Sequence, residues 1–534
     1  LVVLLVAAAC TNKGGTATPA RAATGGTLRV AISQPGSLDP ANAYEPAGRL
    51  VDSLLCEPLL TVDPATGKLR PGLATNWVVS AGGTRITLRL RTARFSNGQR
   101  VTSDDVIAEL SRAASEDFAG NAAKLLSPID GWPEISGAKD TANSRDRRVL
   151  RGLTAIDASS LAITLDHRDA DFLHVLAHPV AAPVPRKLAA GDVDAFSARP
   201  VCAGPYQLAD KWTPGQSVIR LIRNPDYHGR NPVFSNGGRG YADTVEFHTY
   251  GNAEAVFGAW QKGEADVAFV PAAHRGDVGP GDEVTGLNGY LDFVGLPQGP
   301  PFNDPRVRLA MSLALDRSTV TATRVPARGF VPPFTACGDR TPAHADVARA
   351  RALLQEAKAD LGGVALDFFY NDDFGNRALA EQVARQWHGA LGLQVTLRAT
   401  DVRGLEDHAA SPQGFTGAFH MGWQPPVAGP ESYIGPLFTS AGIGTDNFSR
   451  FADPAVQRAL DREARSAAAD DERRLAYARV EQQLCNALPM IPLTAGQSSW
   501  AIRASRVGGA GRATLDGADG EPVLRELYVK GRST

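Results

Sequence analysis

The sequence predicts an α/β protein of at least two lobes, and three observations carry that prediction. The chain has 534 residues, too many for one compact core. Thr244–Tyr250 alternates like a half-buried strand, Ala253–Lys262 reads as a helix, and GEADVAFV from Gly263 leads back into a strand. That order favours an open α/β sheet. The rhythm returns with strand Val364–Tyr370, a helix stacking Leu379, Val383, Trp387 and Leu391, and strands Leu393–Leu397 and Ala418–Trp423. A net charge of −2 provides no basic field, so no nucleic-acid partner is expected.

At the start of the chain, Leu1–Ala9 is an unbroken apolar run, short of the roughly 20 residues a spanning helix needs. It is similar to the core of a secretory signal. Ala7-Ala8-Ala9-Cys10 resembles a lipobox, with Ala where Leu is usual three residues before the cysteine. That resemblance implies a signal and lipobox over 1–10, lipidation at Cys10 and attachment to a membrane through the lipid. Residues 11–26, rich in Gly, Ala, Thr and Pro and without periodicity, read as a flexible tether.

The body opens with a strand at Leu28–Ile32, followed by LLCEPLLTVDPATGKLRPGLATNW, in which Glu57, Pro71, Ala74 and Trp77 stand in order. Thr84–Leu90 alternates as a strand, Phe95-Ser96-Asn97-Gly98 is a turn signal, and Thr102-Ser103-Asp104-Asp105-Val106 starts a helix with its acids in the first turn. Leu150–Leu165 reads as a hairpin turning at Asp157-Ala158-Ser159, and Phe172–His178 as a short helix. That helix would carry His174 and His178 at a spacing able to hold Zn²⁺. With no HExxH, no third ligand and Pro179 ending the helix, solvated surface histidines are expected instead, and no metal. PVCAGPYQL (Pro200–Leu208), RNPDYHG (Arg223–Gly229) and a strand at Tyr290–Val294 follow.

The best-marked stretch is GPPFNDPRVRLAMSLALDR, from Gly299 to Arg317. Asp304 is placed to cap a helix that begins with Pro305, where a missing N–H costs nothing. Val307, Ala310, Met311, Ala314 and Leu315, widened by Leu309 and Leu313, make one face core and leave the arginines and Asp316 for solvent. Two long helices, Pro454–Arg465 and Asp471–Leu488, precede PMIPLTAG from Pro489.

These landmarks, in this order from about Gly25 to beyond Trp500, resemble the family 5 extracellular solute-binding proteins, which serve ABC importers of peptides and some other solutes. Cys202 and Ala203 stand where that family has Gly and Thr, and His228 where it commonly has Trp. The resemblance implies a two-lobed periplasmic-binding-protein type II fold with a two-strand hinge. The first lobe would span 27–292 and 495–534, with a large subdomain inserted at about 64–190, and the second lobe 293–494. The hinge strands would cross near Tyr290 and Leu493. With Cys10 lipidated, Cys56, Cys202, Cys337 and Cys485 remain, an even number in an oxidising compartment. On the lobe boundaries that the resemblance implies, pairing within lobes gives Cys56–Cys202 and Cys337–Cys485, and any other pairing would staple the lobes together.

The function so implied is solute capture between the lobes and delivery to the permease subunits of an ABC importer, by a monomer on the outer face of the cell membrane. No nucleophile elbow, P-loop, C-x-x-C or dinucleotide fingerprint is present, so catalysis is not expected and no cofactor is implied. The alternatives are an envelope sensor with the same fold and, third, a secreted hydrolase. In peptide-binding relatives an Asp shortly after a Gly-Trp pair holds the peptide ammonium. Here Gly422-Trp423 is followed by Gln424 and then reaches no carboxylate before Glu431. The turn after Tyr370 offers Asn371, Asp372 and Asp373, and no Arg appears there before Arg377. The ligand-lining set is therefore expected to be Tyr370, Asn371, Asp372, Trp423, Gln424, Glu431 and Tyr433. The ligand is expected to be a non-peptide or terminally blocked solute, with a cationic group possible near Asp372. Peptides remain open if Glu431 replaces the missing Asp.

Overall fold

The computed structural model describes residues 24–531 except 43–44, 65, 116–117, 119–123, 137–148, 170, 190, 230, 297–298, 321–323, 332–336, 373–375, 412, 426, 428, 466–469, 511–514 and 516–519. Cys10, the tether up to residue 23 and Asp373 lie outside the described residues.

A single sheet of 11 strands runs through both lobes. From the second-lobe edge its order is Gln394–Thr400, Ala365–Asn371, Ala418–Trp423, Glu283–Gly295, Met490–Ile502, Val267–Phe269, Thr27–Ser33, Thr244–Tyr250, Val218–Arg223 and Tyr206–Leu208, with Val325–Pro326 beside Met490–Ile502. At its centre Glu283–Gly295 and Met490–Ile502, each of 13 residues, form an antiparallel ribbon. The hinge strands expected as short crossings are thus long, and each belongs to both lobes. Val267–Phe269 pairs with the Trp500–Ile502 end of the ribbon, and Ala418–Trp423 with the Leu291–Gly295 end.

Neighbours change where the ribbon is irregular. Leu287 faces Gln497 and Leu291 faces Ala495, leaving Asn288, Gly289 and Tyr290 opposite Gly496 alone. Such a bulge bends a strand and increases its local twist. Gly289 has φ of 73°, and a Cβ on Gly496 would lie 2.2 Å from Asn288 Oδ1, so neither position readily accepts a side chain.

In the first lobe Thr27–Ser33 lies parallel between Val267–Phe269 and Thr244–Tyr250, and helix Ala253–Gln261 makes the crossover. Asn252 caps that helix through the Ala255 amide at 2.9 Å, while Val256, Phe257 and Trp260 pack with Ala31 and Ala268. The inserted subdomain has its own antiparallel sheet, in the order Ala74–Ser80, Arg85–Leu90, Ser160–Thr164 and Leu153–Asp157. Helix Ser103–Ala113 covers it, opened by a capping box of Thr102 and Asp105. Disulfides join Cys56 to Cys202 and Cys337 to Cys485, with Cα–Cα distances of 4.9 Å in each.

Four expectations need correction. Helix Pro305–Leu313, capped by Asp304 through the Arg306 amide at 2.8 Å, stops before Arg317, which opens a separate short helix, Arg317–Val320. Arg308 and Arg317 do not face solvent. Arg308 donates to the carbonyls of Phe302, Asn303 and Ala487, and Arg317 to those of Ser312, Pro342 and Pro492. Burial is tolerated because carbonyls of loop, helix and strand residues replace water as acceptors. The third correction concerns the histidines. The helix is only Phe172–Val175, so His178 lies beyond it, half-buried, with Nδ1 accepting from the Val180 amide at 3.1 Å. His174 is likewise half-buried, and the two do not share a helical face. Finally, Pro454–Ala459 continues as a wider turn over Leu460–Ala464 rather than as one regular helix.

Candidate ligand-binding site

The ribbon bulge is the point on which the second-lobe residues converge. Trp423 ends the strand Ala418–Trp423 opposite Leu291. The next residue, Gln424, donates from Nε2 to the Asn288 carbonyl at 3.3 Å, and the Tyr433 hydroxyl donates to the Gly289 carbonyl at 2.5 Å. Trp423 Nε1 donates to the Ser432 carbonyl at 3.0 Å, which orients the half-buried indole. Tyr433 is 3% exposed, so it braces the bulge from within the second-lobe core.

Tyr370, Asn371 and Asp372 are brought less close. Their strand, Ala365–Asn371, is separated from the ribbon by Ala418–Trp423. Tyr370 is buried in the second-lobe core with Phe368 and Val383. Asn371 accepts from Asn376 at 2.5 Å, and the exposed Asp372 carboxylate is bound by Arg377 through Nε at 2.9 Å and through Nη2. Glu431 is also engaged. Arg465 grips it through Nε at 3.1 Å and through Nη2, and the Tyr477 hydroxyl donates to Oε2 at 2.6 Å. Burial beside this carboxylate raises the Tyr477 pKa well above the usual phenol range. Neither acid therefore offers its carboxylate without first giving up an arginine.

Two groups of residues at this site carried no signal in the sequence pattern. Asp292, on the ribbon, has no exposed surface, accepts from the Thr494 hydroxyl at 2.7 Å, lies 3.2 Å from His420 Nε2, and pairs with Arg324. Arg324 stands over the Tyr290 ring at 5.1 Å. Burial and then the Arg324 charge push His420 down to about 3, so the ring is neutral at ordinary pH. The second group crosses between lobes: Asp171, in the inserted subdomain, accepts from the Ser432 amide at 3.0 Å. Burial, then Asp169 and Glu431, push Asp171 up to about 8. A carboxylate standing before a short helix is an unremarkable pattern, and its partner is 261 residues away.

Residues 68–445, more than half of the chain, match the family described as bacterial extracellular solute-binding proteins, family 5 Middle. The chain is 28% identical over 393 residues to the probable deoxycholate-binding periplasmic protein YgiS of Escherichia coli K12, covering 69% of this chain and 70% of the relative. It is 26% identical over 527 residues to the periplasmic oligopeptide-binding protein OppA of Salmonella typhimurium LT2, covering 93% and 90%. Among solved structures, the unliganded open form of the periplasmic murein tripeptide-binding protein MppA has a TM-score of 0.79 at 24% identity, covering 95% of this chain and 98% of that one.

Proposed function

Because the chain belongs to the bacterial extracellular solute-binding proteins of family 5, whose members bind substrates for ABC importers and are not enzymes, we propose that it captures solute between its lobes outside the cytoplasm and hands it to importer permease subunits. The observation that carries the reading is the shared ribbon. Two strands common to both lobes, bulged at 288–290 where their neighbours change, allow the lobes to turn about one line without losing either core. A solute touching both lobes favours closure, and one touching a single lobe does not. Micromolar capture requires a net of about −8 kcal/mol, closure included. The protein acts as a monomer held to the membrane by a lipid on Cys10.

The ligand is a solute without a free ammonium, resting on Trp423 and polar groups at the bulge. Glu431, the nearest acid after the Gly-Trp pair, is taken by Arg465 and Tyr477, and Asp372 by Arg377. Freeing either would subtract a charge-assisted contact from whatever a peptide ammonium returned. This disfavours both the swinging Glu431 and a cation at Asp372. Deoxycholate and a mixed di- to pentapeptide library, the ligand classes in the names of two relatives, divide the reading by calorimetry. Binding is expected for a solute lacking an ammonium and not for free peptides. Micromolar peptide binding that Glu431→Gln abolishes and Asp372→Asn spares would overturn the ligand class. Turnover of a solute by the purified protein would overturn the transport reading itself.

A further inference from the structure

We propose that Asp171 of the first lobe positions Trp423 of the second through Ser432, so that a contact between lobes sets the ligand platform. The inference rests on Trp423 being that platform. The contacts run through one residue in two directions. Asp171 Oδ2 accepts from the Ser432 amide at 3.0 Å and from its hydroxyl at 3.3 Å. The carbonyl of the same Ser432 accepts from Trp423 Nε1 at 3.0 Å. Ser432 stands in the first turn of helix Glu431–Phe438, whose N-cap Pro430 has no side-chain acceptor to offer. A carboxyl oxygen there accepts from an amide the helix cannot pair, and once ionised the group also meets the positive end of the helix dipole.

The intervening loop is built for this approach. Val427, 6% exposed, leaves the second lobe to join the apolar cluster of the inserted subdomain, where Leu173, Leu176 and Val180 also lie. Gly429 admits the carboxylate, since a Cβ there would stand 2.2 Å from Asp171 Oδ2. Asp171 is fixed from its own side by its amide, which donates to Asp169 Oδ1 at 2.8 Å. The charged and titratable groups around it are Asp169 and His174, whose Nδ1 is 3.9 Å away, on its own segment, with Glu431, Arg465, Arg473 and Tyr477 from the second lobe. Asp171 and Ser432 act on the platform through Trp423, so both are positioning residues. What they set is the angle of the indole and the path of the loop that follows it.

The test is ¹⁹F NMR of the full ligand-free chain labelled with 5-fluorotryptophan, with the Trp423 resonance assigned by Trp423→Phe. Asp171→Ala is expected to shift that resonance. Trp387, bonded through Nε1 to the Met311 carbonyl inside the second lobe, is expected to stay in place. Asp171→Asn, whose side-chain carbonyl still accepts from Ser432, is expected to restore the Trp423 shift. Gly429→Ala, which drives the carboxylate off Ser432 without removing it, is expected to reproduce Asp171→Ala and serves in its place if that variant does not fold. In the wild type the Trp423 resonance is expected to move with a midpoint near 8, the value to which Asp171 is pushed, and Asp171→Asn to abolish the movement. An unmoved Trp423 resonance in whichever of the two displacing variants folds overturns the proposal, as does a shift that the Asn variant fails to restore. All of these readings are made without ligand. A solute titration that binds yet leaves Trp423 unmoved therefore strikes the platform and not the Asp171 link.

Discussion

The first lobe pairs Arg112 with Asp39 and Glu109 and buries Asp52 near those two acids, whereas the second buries Arg308 and Arg317 against backbone carbonyls. The difference runs through their titrations. In the first lobe, burial raises Asp52, and pushes Glu109 up to about 7 and Asp171 up to about 8. In the second, it pushes Arg317 down to about 9 and His420 down to about 3. Burial resists charging at each of these groups, the carboxyls by holding their protons and Arg317 and His420 by resisting them. The division is not strict: His178 is pushed down to about 3 in the first lobe, and burial raises Glu481 and Tyr477 in the second. The lesson is that two lobes sharing one sheet can bury charge in different ways, one through ion pairs with Arg112 and the other through backbone carbonyls at Arg308 and Arg317.

The largest effect is expected where the lobes are alike. The disulfides close loops of sequence separation 146 and 148. Paired Cys→Ser replacement of either bridge is expected to cost about 4–5 kcal/mol in the chain-entropy limit, the two nearly equally. Denaturant unfolding followed by lobe-specific hydrogen exchange checks it, and a loss spread over both lobes would break the separation.

Next comes the contrast in buried charge. Arg317→Met takes the guanidinium from the carbonyls of Pro342 and Pro492 and one of the donors from that of Ser312, and is expected to destabilise by about 3 kcal/mol. Asp52→Asn is expected to be neutral or stabilising, since neither carboxylate oxygen has a hydrogen-bond partner among the described residues. Chemical denaturation of the two variants at one pH compares them. Equal losses would contradict the asymmetry.

A smaller effect is the pH response. Asp171 and Glu109 have folded pKa values above their ordinary 3.8 and 4.5, so their contribution is present at low pH and is lost as pH rises toward 8 and 7. His420 falls from an ordinary 6.5 to about 3, so its contribution is present above 6.5 and is lost as pH falls toward 3. The windows overlap from 3.8 to 6.5, and thermal melts are expected to show their maximum inside that overlap. Asp171→Asn should flatten the alkaline limb and His420→Gln the acid one. A single variant that moves both limbs would argue against lobe-specific titration.

The smallest is Asp372→Asn. Its ion pair with Arg377 is exposed, and removal is expected to leave the melting temperature within about 1 °C. The same variant is expected to leave solute affinity unchanged. A tenfold loss of affinity would return Asp372 to the site.

The sequence by itself determined what is local. The Asp304–Pro305 helix start, the hairpin turning at Asp157-Ala158-Ser159, the stacked face of Asn376–Leu391 and the strand Ala418–Trp423 all stand where periodicity and caps put them, since each depends on neighbours a few residues away. The order of landmarks also carried the fold class and family. Helix length after Leu313, the burial of Arg308 and Arg317 and the loss of the His174–His178 face were decided by tertiary contacts, because distant carbonyls and chain ends supply partners that no local pattern encodes. The site shows this most sharply. In the proposed site Trp423 and Gln424 stand at a short motif, but the bulge next to them arises only when Glu283–Gly295 lies against Met490–Ile502. Glu431 is engaged only because the chain returns with Arg465 and Tyr477, and Ser432 meets Asp171 only because the inserted subdomain folds over the second lobe. Where a side chain's partner lies a hundred or more residues away, packing rather than propensity selects it.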